Sequence, residues 1–336
     1  MLKTRKTEIA FFVLGVGMLS YLVSKFGVDK ILANIQRAGW SLVYVIGVWF
    51  VIYLLNTISW KLVLGKAGKK ISFPYLFMVT VSGFVLNYIT PVVALGGEPY
   101  KVKKLSDAIG ATNSLSAVVL YRMVHLLGHM LMLLTGIVAA ITFLPISNVL
   151  RLILAGAGVV ITLVIMFTLA GHRNGIFRRL QKFFGSYAIF SKISRALQAR
   201  EESLEEMDAI VTETFRNSRG TFYLALISEY ISRALMAFEV YLIVNGIGVE
   251  ISIVSALFMF IMYSIIINLF FFIPMNIGAR EGGLYLGLES LALPPLLSIY
   301  FGIVMRIREF VWVLLGLLFI LLTNEKQPVQ PSAMTP

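Results

Sequence analysis

The stretch NYITPVVALGGEPYKVKKL, residues 87–105, lies between two strongly apolar runs, yet it holds Pro91, Gly96, Gly97, Glu98 and Pro99. Proline cannot continue a helix interior, and paired glycines let the backbone turn tightly or approach another group closely. A second stretch, NLFFFIPMNIGAREGGLYLG at 268–287, has the same plan. Pro91-x6-Glu98 is echoed by Pro274-x6-Glu281, with Asn87 and Asn268 upstream. How these two interruptions sit among the apolar runs decides the fold.

The surrounding composition points to a bilayer. With 58% hydrophobic and 14% charged residues over 336 positions, the chain has too little polar surface for a soluble domain of its length. Its mean hydropathy is +0.86. The net charge of +12 is therefore read through membrane topology, as a basic surface against anionic headgroups at the cytoplasmic face; nucleic acid is not an expected partner. The absence of cysteine excludes disulfides, thiolate metal sites and a cysteine nucleophile. The start MLKTRKTEIAFFVLGVGMLSYLV has a basic segment and an apolar core without an A-x-A cleavage site, so it is read as a retained first span. The Pro-rich polar tail, 324–336, is expected to be disordered.

Spanning helices need about 20 mainly apolar residues. Such runs predict helices near 8–25, 40–63, 74–90, 112–144, 149–170, 219–245, 252–273 and 296–323. Between them, 171–218 is the one long polar segment. Ile193, Leu197, Leu204, Met207, Val211 and Phe215 recur in it near helical spacing, as in an amphipathic cytoplasmic connector. Lys3, Arg5 and Lys6, then Lys61, Lys66, Lys69 and Lys70, then Lys101, Lys103 and Lys104 place their loops inside, whereas 145–148 and 246–251 carry no basic residue. Lys25, Lys30 and Arg37 run against this orientation, partly offset by Asp29.

If both 61–70 and 101–104 are cytoplasmic, 74–96 must enter and leave from the same side, as a re-entrant hairpin. A cytoplasmic C-terminus makes 252–295 a second such hairpin, entering from outside. The expected fold is an all-α polytopic membrane protein with about six spans, two re-entrant broken hairpins and an inverted 3+3 repeat. The repeats are 1–144 and 149–323, in a multi-pass protein of the cell (cytoplasmic) membrane with both termini cytoplasmic.

Broken backbone at membrane depth persists only where it is buried in protein or lines a wet cavity. Helix N-termini after the breaks would offer N–H groups to an anion, and Arg280 would add a fork of donors suited to phosphate. Glu98 and Glu281 would receive a cation or a proton. The plainer reading is that Glu98 caps a helix and Arg280–Glu281 is a local ion pair. Arg122, His125 and His129 share one helix face; Glu229 and Arg233 form an i, i+4 pair; Arg306 and Glu309 form an i, i+3 pair. For each of these, cross-helix structural pairing stands beside a role in a polar cavity. His125-x3-His129 supplies two potential metal ligands without the intervening Glu of a metalloprotease, and no metal or other cofactor is expected.

TPVVALGGEPYKVKKL, followed by VVLYRMVHLLG and later by IPMNIGAREGGL, resembles the lysylphosphatidylglycerol synthase transmembrane-region family, also described as flippase-like or UPF0104. The resemblance extends over about 8–323. It implies that Gly96, Gly97, Glu98 and Pro99 form one motif, Gly278, Arg280, Glu281 and Gly282 a second, and that Arg122 is the arginine of the helix after the first. In two-part members this membrane unit accompanies a soluble aminoacyl-transferase domain and moves the aminoacylated lipid across the bilayer. No counterpart of that domain is read in these 336 residues, so the expectation from the resemblance is the translocase-like half, with membrane lipids as substrate. The expected function is translocation of an anionic or aminoacylated phospholipid or a polyprenyl-phosphate lipid. An integral-membrane transferase and a non-transporting assembly partner are the alternatives. Gly- and Ser-bearing helix faces would permit a homodimer.

Overall fold

The computed structural model describes residues 39–89, 96–174, 219–270, 278–295 and 297–323, with Asp29, Gln36 and Asn276. The expected first span at 8–25, the connector beyond Asn174 and the tail lie outside the described residues, as do 90–95 and 271–275 in the two breaks. Among the described residues every regular element is a helix. They run α1 Trp40–Gly68, α2 Phe73–Ile89, α3 Gly97–Ile109, α4 Ala111–Phe143, α5 Asn148–Asn174, α6 Arg219–Asn245, α7 Ile253–Leu269, α8 Ala279–Ser290 and α9 Leu297–Leu322.

Continuous apolar runs become helices here because, without water, a segment must satisfy its own backbone hydrogen bonds. At 1.5 Å rise per residue, the 29 residues of α1 extend about 44 Å, more than the roughly 30 Å hydrocarbon core. Among the described residues, three helices are long and apolar enough to cross a membrane: α1, α4 and Asn148–Leu169 of α5. α2 and α7 are apolar but only 17 residues each. α6 and α9 have the length, 27 and 26 residues, but carry buried charges: Glu229, Arg233 and Glu239 on α6, Arg306, Arg308 and Glu309 on α9. The chain is a multi-pass membrane protein, with these charges turned into the bundle as the cost of a lipid-facing charge requires.

The most extensive helix contact runs between α1 and α6. α2 packs on α1, α3 and α9; α7 packs on α6, α8 and α4. α3 lies on α4 and α8 on α9, while α4 touches α1 and α6, and α9 touches the same two helices. α5 sits outside against α4, and Leu152, Ile153, Val160, Leu163 and Met166 stand exposed on it as a lipid-facing helix requires. Two apolar clusters fill the interior, one around Trp60, Leu86 and Tyr121, the other around Phe258, Ile261 and Phe301.

Helices in lipid associate largely by close packing at small residues. Gly128 shows this: a Cβ there would lie 2.7 Å from Glu229 Cβ and 3.2 Å from its carbonyl carbon. Gly128→Ala would push α4 from α6 and should cost about 1–3 kcal/mol. Thermal unfolding in detergent reads this against Gly156→Ala, whose methyl would meet nothing within 4 Å. An unchanged Gly128→Ala midpoint would mean that the two helices can part freely.

Polar ties hold the ends. Ser82 donates to the Gly316 carbonyl at 3.1 Å, joining α2 to α9. Lys104 Nζ donates to the Thr323 carbonyl at 2.9 Å, and the Tyr100 and Thr323 hydroxyls are 2.9 Å apart, so the first turns of α3 meet the end of α9. Lys101 departs from the expected loop cation. It is 1% exposed, with Nζ 4.6 Å from the Phe84 ring centre, 5.2 Å from Tyr121 and 5.5 Å from Trp60. The reason is helical: α3 begins at Gly97, so Lys101 and Lys103 fall on different faces, and Lys103 alone of the two is exposed.

Candidate functional site

Each break is followed at once by a short helix whose start is satisfied by protein groups. In α3 the Gly97 N–H donates to Asn87 Oδ1 at 2.8 Å, and Asn87 Nδ2 donates to Glu98 Oε1 at 3.1 Å. One α2 side chain thus caps the helix and holds its carboxylate. Gly97 is required by proximity, since a Cβ would stand 2.0 Å from the Gly83 carbonyl oxygen. Pro99 falls in the first turn, where its missing N–H costs nothing. Arg122 on α4 completes the group at 3.6 Å from Glu98 Oε1.

In α8 the device differs. Gly278 takes φ 82°, a conformation suited to glycine, and its N–H donates to Glu281 Oε2 at 2.9 Å. Arg306 on α9 donates to Glu281 Oε1 at 2.7 Å. Asn268, the echo of Asn87, lies instead 3.4 Å from His129 Nε2. Gly282 has nothing near its missing Cβ; the close approach in this half belongs to Gly283, whose Cβ would lie 2.4 Å from Tyr263 Cα. The expectation that the helix N-termini present free donors is corrected at both leading positions, because Asn87 and Glu281 already occupy them.

Two further expected pairings are replaced. Arg280 reaches past its neighbour Glu281 to Glu309 Oε1 at 2.7 Å, and Arg306 goes to Glu281, so Arg306 and Glu309 serve opposite partners on α8. Glu309 Oε1 also lies 3.8 Å from Arg308, and its Oε2 accepts from the Tyr88 hydroxyl at 2.5 Å. Arg308 stacks 3.9 Å over the Trp49 ring and pairs with Glu239 at 3.0 Å, while Trp49 Nε1 donates to Glu239 at 2.8 Å. His125 Nδ1 is 2.8 Å from Glu229 Oε2, and Arg233 contacts both the His125 ring and, at 4.0 Å, Glu229. His129 faces Ser264, 3.3 Å away.

These groups surround a cavity of about 340 Å³ between α1, α4, α6, α7, α8 and α9. Of the sequence-selected residues, Arg122, His125, His129, Arg233, Arg280 and Glu309 line it. Gly96 to Pro99, Asn87, Glu229, Gly278, Glu281, Gly282 and Arg306 are not in its wall; those among them with polar side chains brace it or its neighbours. Trp49 and Arg308 also belong to the wall. For Arg308, and for Glu239 behind it, the signal was an ionisable residue inside an apolar run. Trp49 and Tyr88 carry no such signal, since an aromatic residue in a span is ordinary.

Among the described residues, four arginines line this space with one carboxylate, Glu309. Arg233 Nε and Arg280 Nη1 are buried and have no hydrogen-bond partner among the described residues. A buried donor without an acceptor costs about 1–3 kcal/mol, so an acceptor brought to either nitrogen would be favoured. A second cavity of about 210 Å³ lies on the other side of Trp49, Arg280, Arg308 and Glu309, walled by Tyr53, Phe84, Tyr88 and Trp312. The arrangement can hold an anion and divides two chambers by an ion-paired layer.

No curated protein and no solved structure matches the chain. The family model for the lysylphosphatidylglycerol synthase transmembrane region matches residues 8–316, and the chain, with its two motif helices braced by Arg122 and Arg306, belongs to that family.

Proposed function

We propose that the protein is a lipid translocase of the cytoplasmic membrane, passing an anionic headgroup through the arginine-lined cavity while the acyl chains stay in the bilayer. The observation that carries this is the cavity itself: four guanidiniums in its wall, two with buried donors lacking acceptors among the described residues, inside a membrane bundle. Family membership supports a lipid-related role.

The reading includes an inverted repeat of α1–α4 and α6–α9. Helix lengths support it: 29, 17, 13 and 33 residues against 27, 17, 12 and 26. So do the contacts, because exchanging the two sets carries each helix pairing among them onto another observed pairing. Glu98–Arg122 and Glu281–Arg306 then become one device used twice, a carboxylate at the broken helix held by an arginine of the next helix. The 17-residue α2 and α7 suit re-entrant limbs, entering from opposite faces and meeting near the midplane. The tie between Lys104 and the Thr323 carbonyl supports a cytoplasmic C-terminus on the side of the basic 101–104 segment.

The test is exchange of fluorescent phosphatidylglycerol and phosphatidic acid in proteoliposomes with a membrane-impermeant quencher. Wild-type protein should accelerate exchange. Arg122→Gln should slow it about tenfold without unfolding the chain, since the Arg122 side chain is 50% exposed. Folded wild-type protein that exchanges no lipid would end this reading.

A further inference from the structure

The wall of the larger cavity discriminates between headgroups. An ammonium group among guanidiniums needs a carboxylate with negative charge to spare, because the other acceptors of the wall, such as Ser264, Asn268 and Asn276, are neutral. Among the described residues Glu309 is the one carboxylate in the wall, and both its oxygens are engaged: Oε1 by Arg280 with Arg308 beyond, Oε2 by Tyr88. Glu98, Glu229 and Glu239 stand behind the arginines outside the wall, the last two fully buried. The arginines therefore form ion-pair dipoles whose positive ends face the space.

The donor side has capacity. Arg280 and Arg233, 6% and 7% exposed, each keep a buried nitrogen without a partner among the described residues, and half-exposed Arg122 adds a third guanidinium. Planar forks of N–H donors match phosphate oxygens. A phosphodiester offers two non-bridging oxygens and one charge. A phosphomonoester offers three oxygens and close to two charges at neutral pH.

We propose that this cavity selects a terminal phosphate monoester without an amine, so that its ligand is a lipid ending in phosphate and not an aminoacylated or ethanolamine-bearing one. This rests on the translocase reading for the lipid, whereas the phosphate selectivity follows from the wall alone.

The test is binding, kept separate from transport. Purified protein is titrated with phosphatidic acid, phosphatidylglycerol and phosphatidylethanolamine, and bound lipid is counted by native mass spectrometry. Glycerol 3-phosphate is the soluble arm. Phosphatidic acid should bind about tenfold more tightly than phosphatidylglycerol, and phosphatidylethanolamine more weakly still. Arg122→Gln should reduce phosphatidic acid binding about tenfold. Lys103→Gln, a change of equal charge on an exposed residue outside the wall, should leave it unchanged. Equal binding of phosphatidylethanolamine, or equal losses in both variants, would overturn the proposal. Glycerol 3-phosphate binding as tightly as phosphatidic acid would keep the phosphate and replace the lipid by a soluble ligand. Tight phosphatidic acid binding with no exchange in proteoliposomes would sink the translocase and leave the selectivity standing.

Discussion

Gly97→Ala is expected to lower the thermal midpoint of the purified protein sharply and to abolish lipid exchange. Its methyl would stand 2.0 Å from the Gly83 carbonyl oxygen and 2.8 Å from Asn87 Oδ1. The first obstacle is backbone in the middle of α2, which cannot rotate away as a side-chain tip can. α2 and α3 must separate instead, and the separation breaks the Gly97–Asn87 hydrogen bond and loosens the Asn87–Glu98 bond. Overpacking costs about 1–3 kcal/mol. Each lost hydrogen bond adds about 1 kcal/mol. The sum, about 2–5 kcal/mol, is a large part of the stability of most domains. Gly282→Ala is the control with the opposite sign. Nothing lies within 4 Å of its added methyl, and alanine is the better helix former by about 1 kcal/mol, so it should be neutral or stabilising. If the two variants melt alike, the close crossing of α2 and α3 is not what the motif glycines are for.

Glu309→Gln should be nearly as damaging, for an electrostatic reason. Glu309 is the carboxylate between Arg280 at 2.7 Å and Arg308 at 3.8 Å, and it accepts from Tyr88. Glutamine keeps the size but removes the charge that balances buried Arg280 and adds to the balance Glu239 gives Arg308. Losing one partner of a buried pair costs about 3–5 kcal/mol, chiefly because the other charge is left uncompensated. A double-mutant cycle tests that cause. Arg280→Gln alone should also destabilise, whereas Arg280→Gln with Glu309→Gln should be less harmful than the sum by at least about 1 kcal/mol. Exchange should not recover in the double variant, because the layer dividing the two chambers has then lost its Arg280–Glu309 pair and keeps Arg308 alone. Strict additivity of the two unfolding losses would rule out the ion pair as the source of the effect.

Much of the arrangement was open to a reader of the chain. Apolar runs placed helices within a few residues of their observed ends, as at 112–144 against Ala111–Phe143. The Pro and Gly interruptions located the starts of α3 and α8, since backbone limits at those residues are local. Arg122, Arg280, Glu229 and Glu309 stood out because a charge in a span must find a partner.

Partner choice was a different matter. Arg280 beside Glu281, and Arg306 three residues before Glu309, invited local pairs, yet the bonds run from α8 to α9 and cross over. Lys101 counted as a loop cation until the face of α3 it occupies turned it into an aromatic enclosure. Gly282 drew notice as part of a motif, but Gly283 touches α7.

The sequence by itself determined the solvent, the helices and their breaks, because hydropathy and backbone permissiveness act over a few neighbouring residues. Only the tertiary structure decided which charges meet, which arginines face an open cavity and which carboxylates lie behind them. Those depend on the rotation and approach of helices distant in the chain, and a guanidinium has acceptors on several helices among which only packing distinguishes.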